Sequence, residues 1–467
     1  MCSTSCCRAS VRPSSSPSSD PPGLFDGVLA RGAVRAAVSD GAWLQALLDV
    51  EAALARAGAA AGVFPAQDAE AIAGACRAED FDPAALGAQA AASGNPVVPL
   101  VRALTAAVPA SAAGRVHLGA TSQDVLDSAA MLVSMRALEP LLADLDAAAA
   151  AAAALAAAHR DTPMAGRTLL QQALPITFGL KAAGWLAGLD AASARLAEVR
   201  RTRLCAQLGG AAGTLASLGE AGPAVLRHLA ELLGLCEPVL PWHTERSRVI
   251  ELAAALGGVA AAVGKVAGDI VLLAQSEVGE VAEGAPGGSS TLPHKRNPVA
   301  AVSAIACAAQ APGLVATLLA AAAGAQHERA AGAWHAEWRP LRELLRSTGS
   351  AAAWLEASLA GLQVDATAMR ANLERTGGVL LAERVTSALA PLRGRLAAHD
   401  LVSAAAAEAA AGTRSFAEAL AARDAPITGD ALEPAGYLGS AGEFVDRALR
   451  VHGARLDRDL TRDREQP

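Results

Sequence analysis

The chain has 467 residues, 52% of them hydrophobic, 18% charged and only 3% aromatic, with a formal net charge of -7. The acidic balance, with a pI near 5.8, speaks against a nucleic-acid binder, which would present a basic face. The length exceeds what one compact core usually serves, so two or three domains are expected.

Alanine dominates the apolar fraction. It is the best helix former and a poor strand former, so the expected fold class is all-α. Residues 1–22 are rich in Ser and Pro and lack an apolar run. They read as a disordered tail and not as a secretory signal. Of the seven cysteines, Cys2, Cys6 and Cys7 lie in that tail, while Cys76, Cys205, Cys236 and Cys307 are scattered through apolar sequence. No pair has metal-ligand spacing. Reduced, buried thiols of a cytoplasmic protein are expected, with no metal site and no cofactor.

Residues 23–115 read as short helices, broken at Ser39-Asp40-Gly41, Gly62-Val63-Phe64-Pro65, Phe81-Asp82-Pro83 and Ser93-Gly94-Asn95-Pro96. The middle, 116–365, differs. Ser122–Arg160, Thr177–Thr202, Glu245–Val281, 298–325 and 334–361 are long, periodic and poor in breakers. They predict a central long-helix bundle. Apolar faces left uncovered by such helices predict homo-oligomerisation. From 366 to 454 the helices shorten again, and the charged run 455–467 is expected to fray. The result is three helical domains flanked by two tails. Asn297–Gln326 carries no charge and is long enough to cross a bilayer. It is mostly alanine and lacks the Leu/Ile/Phe density of a span, so a helix enclosed by other helices is expected, with no membrane partner.

Four segments carry candidate chemistry. The loop Gly287-Gly288-Ser289-Ser290-Thr291-Leu292-Pro293-His294-Lys295-Arg296-Asn297-Pro298 opens a helix at its Pro. Its hydroxyls, N–H groups and cation can hold an anion or steady charge that develops on a carboxylate. It also reads as a flexible loop with a solvated basic pair, and Gly284, Pro286, Gly287 and Gly288 are expected to make its entry mobile. His117-Leu118-Gly119-Ala120-Thr121-Ser122-Gln123-Asp124 ends where a long helix begins. Thr121 and Ser122 can be simple caps, or the free N–H groups and hydroxyls can bind a carboxylate. Gly166-Arg167-Thr168-Leu169-Leu170-Gln171-Gln172-Ala173-Leu174-Pro175 reads as an interhelical turn carrying polar groups. Gln326-His327-Glu328-Arg329, with Trp334-His335-Ala336-Glu337-Trp338, reads as buried ion pairing or as a site where Arg329 offers a bidentate carboxylate fork. No P-loop, Rossmann fingerprint or HExxH occurs.

In this order and spacing the segments resemble the fumarase/aspartase superfamily, from about Leu24 to about Arg450. The loop Gly288–Pro298 is similar to that superfamily's signature, with Leu292 where Met is usual. Ser93–Val101, Gly209-Gly210-Ala211-Ala212-Gly213-Thr214, Pro241-Trp242-His243-Thr244 and Tyr437-Leu438-Gly439-Ser440-Ala441 resemble its 3-carboxy-cis,cis-muconate cycloisomerase branch. The resemblance implies a homotetramer with a shared helical bundle and sites built from three subunits. It implies Ser289 as proton carrier, with Ser290 the alternative, and Lys295 as its catalytic companion. Asn95, His117, Thr121, Ser122, Thr168, Gln171, Asn297 and Arg329 would bind a small tricarboxylate.

Superfamily lyases commonly carry His at position 169 to protonate a leaving group; this chain has Leu169. An amine or hydroxide leaving group needs such an acid. A carboxylate, whose conjugate acid has a pKa of about 4, does not. Leu169 thus fits what the resemblance to the cycloisomerase branch implies, closure of 3-carboxy-cis,cis-muconate to 4-carboxymuconolactone in aromatic degradation. The alternatives are adenylosuccinate or argininosuccinate cleavage, or a catalytically silent helical scaffold.

Overall fold

The computed structural model describes residues 23–425 and 429–465. The expected disordered tail, with its three cysteines, lies outside the described residues. The described residues are predominantly helical, with four short strands among them. In chain order the principal helices begin with α1 (Asp40–Ala60), α2 (Ala66–Gly74), α3 (Pro83–Ser93), α4 (Val97–Ala107) and α5 (Ser122–Ala158). Strands β1 (Pro163–Thr168) and β2 (Gln171–Thr177) follow, then α6 (Phe178–Thr202), α7 (Gly222–Leu233), α8 (Ser247–Leu273) and β3 (Val281–Ala282). Next come α9 (Val299–Ala308), α10 (Ala311–Ala323), α11 (Ala333–Ala360) and β4 (Gln363–Val364). The chain closes with α12 (Ala366–Glu374), α13 (Ala382–Arg393), α14 (Arg395–Ala410), α15 (Phe416–Ala421) and α16 (Ala441–Glu465). Shorter helical turns are left unlabelled.

The fold groups into two compact units. The first holds Ala36–Val133 and Ala206–Glu237. Its α1 starts where Ser39 Oγ accepts the Ala42 N–H at 3.2 Å, as a cap should. The buried residues of α1, including Leu44, Leu47, Leu48, Leu54 and Ala55, recur at helical spacing and pack on α2 and α7. Asp82 caps α3 through the Ala84 N–H at 2.9 Å, and Gly94 ends that helix at φ 73°, a left-handed stop that favours glycine.

The second unit holds Phe25–Arg35, Ser134–Cys205 and the chain from Pro238 onward. Here α8 packs against α6, α9, α10 and α11. Trp185, fully buried, sits edge-on to Phe178 with centroids 5.6 Å apart and donates its ring N–H to Asp269 at 2.7 Å. A smaller core of Val385, Leu389, Val402, Phe416 and Leu420 joins α13, α14 and α15. The charge-free stretch is not one helix: it breaks after Ala308, and Pro312 lies in the first turn of α10, where proline is tolerated. By length and composition alone, Ser122–Ala158, Ser247–Leu273 and Val299–Ala323 are apolar enough to cross a membrane.

Two expectations are corrected. Gly166–Pro175 is not an interhelical turn; it lies within the antiparallel hairpin β1–β2. The run from Arg455 does not fray at that point; α16 continues to Glu465. Arg455 is buried, with Nε on Asp190 at 3.1 Å and Nη2 on Asp146 at 3.0 Å. His452 Nδ1 meets the same Asp190 at 3.0 Å. A charged sequence there serves a buried network, which charge alone does not reveal.

Candidate active site

In the first unit, α5 opens at Ser122, as its sequence predicts. Thr121 precedes it, and its N–H donates to Asp124 Oδ2 at 2.9 Å. A carboxylate at the third helical position reaching back to the residue before the helix is half of a capping box. Asp124 also accepts the N–H groups of Gly209 and Gly210, each at 2.9 Å. This buried carboxylate thus pins the Thr121-Ser122 turn to the Gly209-Gly210 turn. Both Thr121 and Ser122 remain partly accessible.

His117 belongs to the same cluster. Its backbone is left-handed, φ 60°, and its Nδ1 lies 2.6 Å from Glu51 Oε1 on α1. Burial by itself pushes the imidazole down, but the Glu51 hydrogen bond and charge, with Asp124 adding, hold it above the ordinary histidine value. Asn95 does local work: its side-chain oxygen accepts from Val97 and Val98 at 3.1 and 3.3 Å, capping α4.

In the second unit, the loop of Ser289 and Lys295 is closed at its base. Gly287 and Asn297 exchange N–H···O bonds, both 2.9 Å, and Asn297 Nδ2 donates to Gly288 O at 3.3 Å. Within the loop, Ser289 Oγ accepts from Thr291 and Leu292 at 3.3 and 3.1 Å. Ser289 is half-buried, whereas Ser290 and the run through Lys295 and Arg296 are exposed. Two of the entry glycines, Gly284 and Gly287, sit where a side chain would be crowded, whereas Gly288 has open space around it. A Cβ on Gly287 would lie 2.1 Å from Val299 Cγ2, and one on Gly284 would lie 2.7 Å from the Gly361 carbonyl.

Glu283 explains how the loop is anchored. Buried to 4% exposure, it accepts from Ala301 and Ala300 at 2.8 and 3.1 Å, at the start of α9, and from Ser358 Oγ at 2.6 Å. One carboxylate therefore joins the strand before the loop, the helix after it, and α11. A negative charge suits that helix N-terminus.

The hairpin places Thr168 opposite Gln171, with Leu169 and Leu170 as the two-residue tip. Both leucines are left-handed, φ 51° and 63°, a conformation such tips require and that Asn or Gly adopts with less strain. Leu169 is 96% exposed and Leu170 71%. The base is firm: Arg167 pairs with the buried Glu280, and Asn372 Nδ2 donates to the same carboxylate at 2.8 Å. Lys181, in the first turn of α6, is pushed below the ordinary lysine range by burial, against the pull of Asp269 and with Lys265 adding.

Arg329 is half-buried in the segment between α10 and α11. That segment is tied down by Thr244 Oγ1, which donates to His327 O at 2.7 Å. The ion pairing expected here is made by Glu337, which meets Arg246 at 3.1 and 2.5 Å with both side chains buried.

Sequence reasoning missed Glu51, Asp124, Glu280 and Glu283. Asp124 had a local signal, the Thr-x-x-Asp spacing. Glu51 interrupts the apolar stripe of α1. Glu280 and Glu283 are partnered by residues distant in sequence and carry no local mark.

A family model described as "Lyase" matches residues 30–313. The chain belongs to the fumarase/aspartase superfamily. A second model, "Adenylosuccinate lyase C-terminus", matches residues 378–448 of this superfamily member. A 3-carboxy-cis,cis-muconate cycloisomerase of Bradyrhizobium diazoefficiens is 49% identical over 91% of this chain and 97% of its own. A nitrosuccinate lyase of Streptomyces davaonensis is 46% identical over 91% and 94%. The crystal structure of the 3-carboxy-cis,cis-muconate lactonizing enzyme of Pseudomonas putida superposes with a TM-score of 0.86 at 43% identity, covering 92% of this chain and 99% of that one.

Proposed function

We propose that the chain closes 3-carboxy-cis,cis-muconate to 4-carboxymuconolactone. The observation that carries this is Leu169 at the exposed tip of a firmly based hairpin, in a chain 49% identical to a named cycloisomerase. A side chain that cannot donate a proton suits a reaction whose leaving group, in the lactone-opening direction, is a carboxylate. Adenylosuccinate and argininosuccinate cleavage expel amines and fit this tip poorly.

In the forward direction a substrate carboxylate oxygen bonds to an alkene carbon of the same molecule. The π electrons move onto the adjacent carbon and its carboxylate as an enolate-like group. Lys295, Asn297 and loop N–H groups would steady that charge. Ser289 then delivers a proton to the carbon and is reprotonated from solvent. No electrons are gained or lost, so the step calls for no redox cofactor. Asn95, His117, Thr121, Ser122, Thr168, Gln171 and Arg329 would hold the remaining carboxylates. The proposed assembly is a homotetramer with sites shared among three subunits, active in the cytoplasm. The apolar faces left open at Leu272, Val302 and Leu319 support such burial by other copies. The proposed domain division is 23–115, 116–365 and 366–454.

A second reading is favoured by the nitrosuccinate lyase relative. Nitrite is also a weakly basic leaving group, so Leu169 suits its expulsion equally well. The deciding experiment follows loss of diene absorbance with 3-carboxy-cis,cis-muconate, with nitrosuccinate, adenylosuccinate and argininosuccinate as parallel substrates. Turnover of the muconate alone supports the cycloisomerase reading. Turnover of another substrate alone overturns it.

A further inference from the structure

Glu51 is 1% exposed, and its Oε2 meets no hydrogen-bond partner among the described residues. Its other oxygen lies 2.6 Å from His117 Nδ1. A buried carboxylate so poorly solvated is costly unless a cation faces it. The contrast with Asp124 is instructive. That carboxylate is just as buried, but three backbone N–H groups satisfy it. Among the described residues Glu51 has no such donors, and the one group placed to face it as a cation is the imidazole of His117.

We propose that Glu51 is a positioning residue: it keeps His117 as an imidazolium whose Nε2–H faces a substrate carboxylate bound at the Thr121-Ser122 turn. This rests on the reading that the turn binds a carboxylate. The geometry supports it in three ways. The His117 side chain keeps 18% exposure, so its outer nitrogen is reachable. Its Nδ1 is committed to Glu51, which fixes ring orientation. Left-handed backbone at His117 holds the ring there at some conformational cost, as at functional positions. The groups facing the ring are Glu51 from α1 and Asp124 from α5, both acidic. Both favour the charged ring, in agreement with its raised affinity for a proton.

The test compares the wild-type protein with Glu51→Gln, Glu51→Asp and His117→Gln. Histidine C2 hydrogen–deuterium exchange, read by mass spectrometry across pH, reports the titration of His117 without any substrate. Glu51→Gln should move that titration down by about one pH unit or more, and Glu51→Asp should largely restore it. With 3-carboxy-cis,cis-muconate, KM of the wild type should stay flat until pH reaches the raised His117 value and then rise. In Glu51→Gln the rise should begin about one pH unit lower, with kcat changed less than about threefold. His117→Gln should raise KM at least tenfold and remove the pH step.

A His117 titration unmoved in Glu51→Gln overturns the proposal. So does a loss of kcat that is equal at every pH, which would mark a structural role. If Glu51→Gln fails to fold, His117→Gln with an unchanged KM–pH profile overturns it instead. If the wild type ignores the muconate, the functional reading fails while the exchange measurement still decides whether Glu51 sets the charge of His117.

Discussion

Arg167 grips Glu280 with both prongs of its guanidinium, at 2.7 and 2.9 Å, and so fastens the strand beneath the hairpin tip to the segment leading into the signature loop. Glu280 is fully buried. Arg167→Met should therefore leave an uncompensated buried charge and cost about 3 kcal/mol or more. Arg167→Met/Glu280→Met should recover part of that loss. Urea denaturation of the two variants and the wild type measures it. Equal stability of the single variant and the wild type would refute the account.

Among the described residues Ser289 Oγ bonds within its own loop, so Ser289→Ala should fold normally. As the proposed proton donor, its removal should lower kcat by about 100-fold or more, while Ser290→Ala should lose far less. Steady-state kinetics with 3-carboxy-cis,cis-muconate, beside circular dichroism, separates the two effects. Near-wild-type turnover in Ser289→Ala would end its assignment.

The hairpin tip trades conformational ease for side-chain chemistry. Replacing Leu169-Leu170 with Asn-Gly should relieve left-handed strain and leave the fold as stable or more so, by up to about 1 kcal/mol. Activity should fall at least tenfold, because the tip would lose its apolar surface. Thermal melts and kcat/KM on one preparation check both halves. A variant with wild-type kcat/KM would show that the leucines have no part in the site.

Gly287 and Val299 form a matched pair across the base of the loop. Gly287→Ala should displace Val299 or break the Gly287–Asn297 bridge, costing tenfold or more in kcat. Adding Val299→Ala should restore much of it, since the crowding atom is Val299 Cγ2 at 2.1 Å. The double-mutant cycle in kcat is the measurement, and strict additivity would refute it.

The Glu51–His117 pair also predicts a pH dependence of stability. The folded-state pKa of His117 is raised, so its contribution is fully present below the unfolded value of about 6.5. It is lost as pH rises through the folded value. The stability gap between wild type and Glu51→Gln should narrow over that window. Urea midpoints between pH 5.5 and 9 would show it, and a gap independent of pH would not fit.

Much of the helical fold was legible because length and period are local properties. Ser122 and Thr177-Phe178 open long helices where their sequence says they should. The hairpin was not legible. Its tip is Leu-Leu, without the Asn or Gly that marks a two-residue turn. The packing role of Gly287 was hidden for a related reason: sequence reveals freedom from a side chain, while only the position of Val299 reveals the crowding that a side chain would meet. Of the supporting acids, Asp124 left a local mark in its spacing from Thr121, but Glu283 left none because it serves α9 and Ser358, and nothing near Glu51 in sequence points to its histidine, 66 residues away.

One face of α5 carries Ala147, Ala150, Ala154 and Ala157 exposed in a single stripe. An alanine has no rotamers to freeze. For the proposed tetramer this means that copies can meet along that stripe with almost no loss of side-chain freedom, and with backbones close together. It also means the surface has no slack. In such an assembly a long side chain placed there would meet another copy, so one bulky residue in the stripe would act on assembly before it acted on the fold of the chain that carries it.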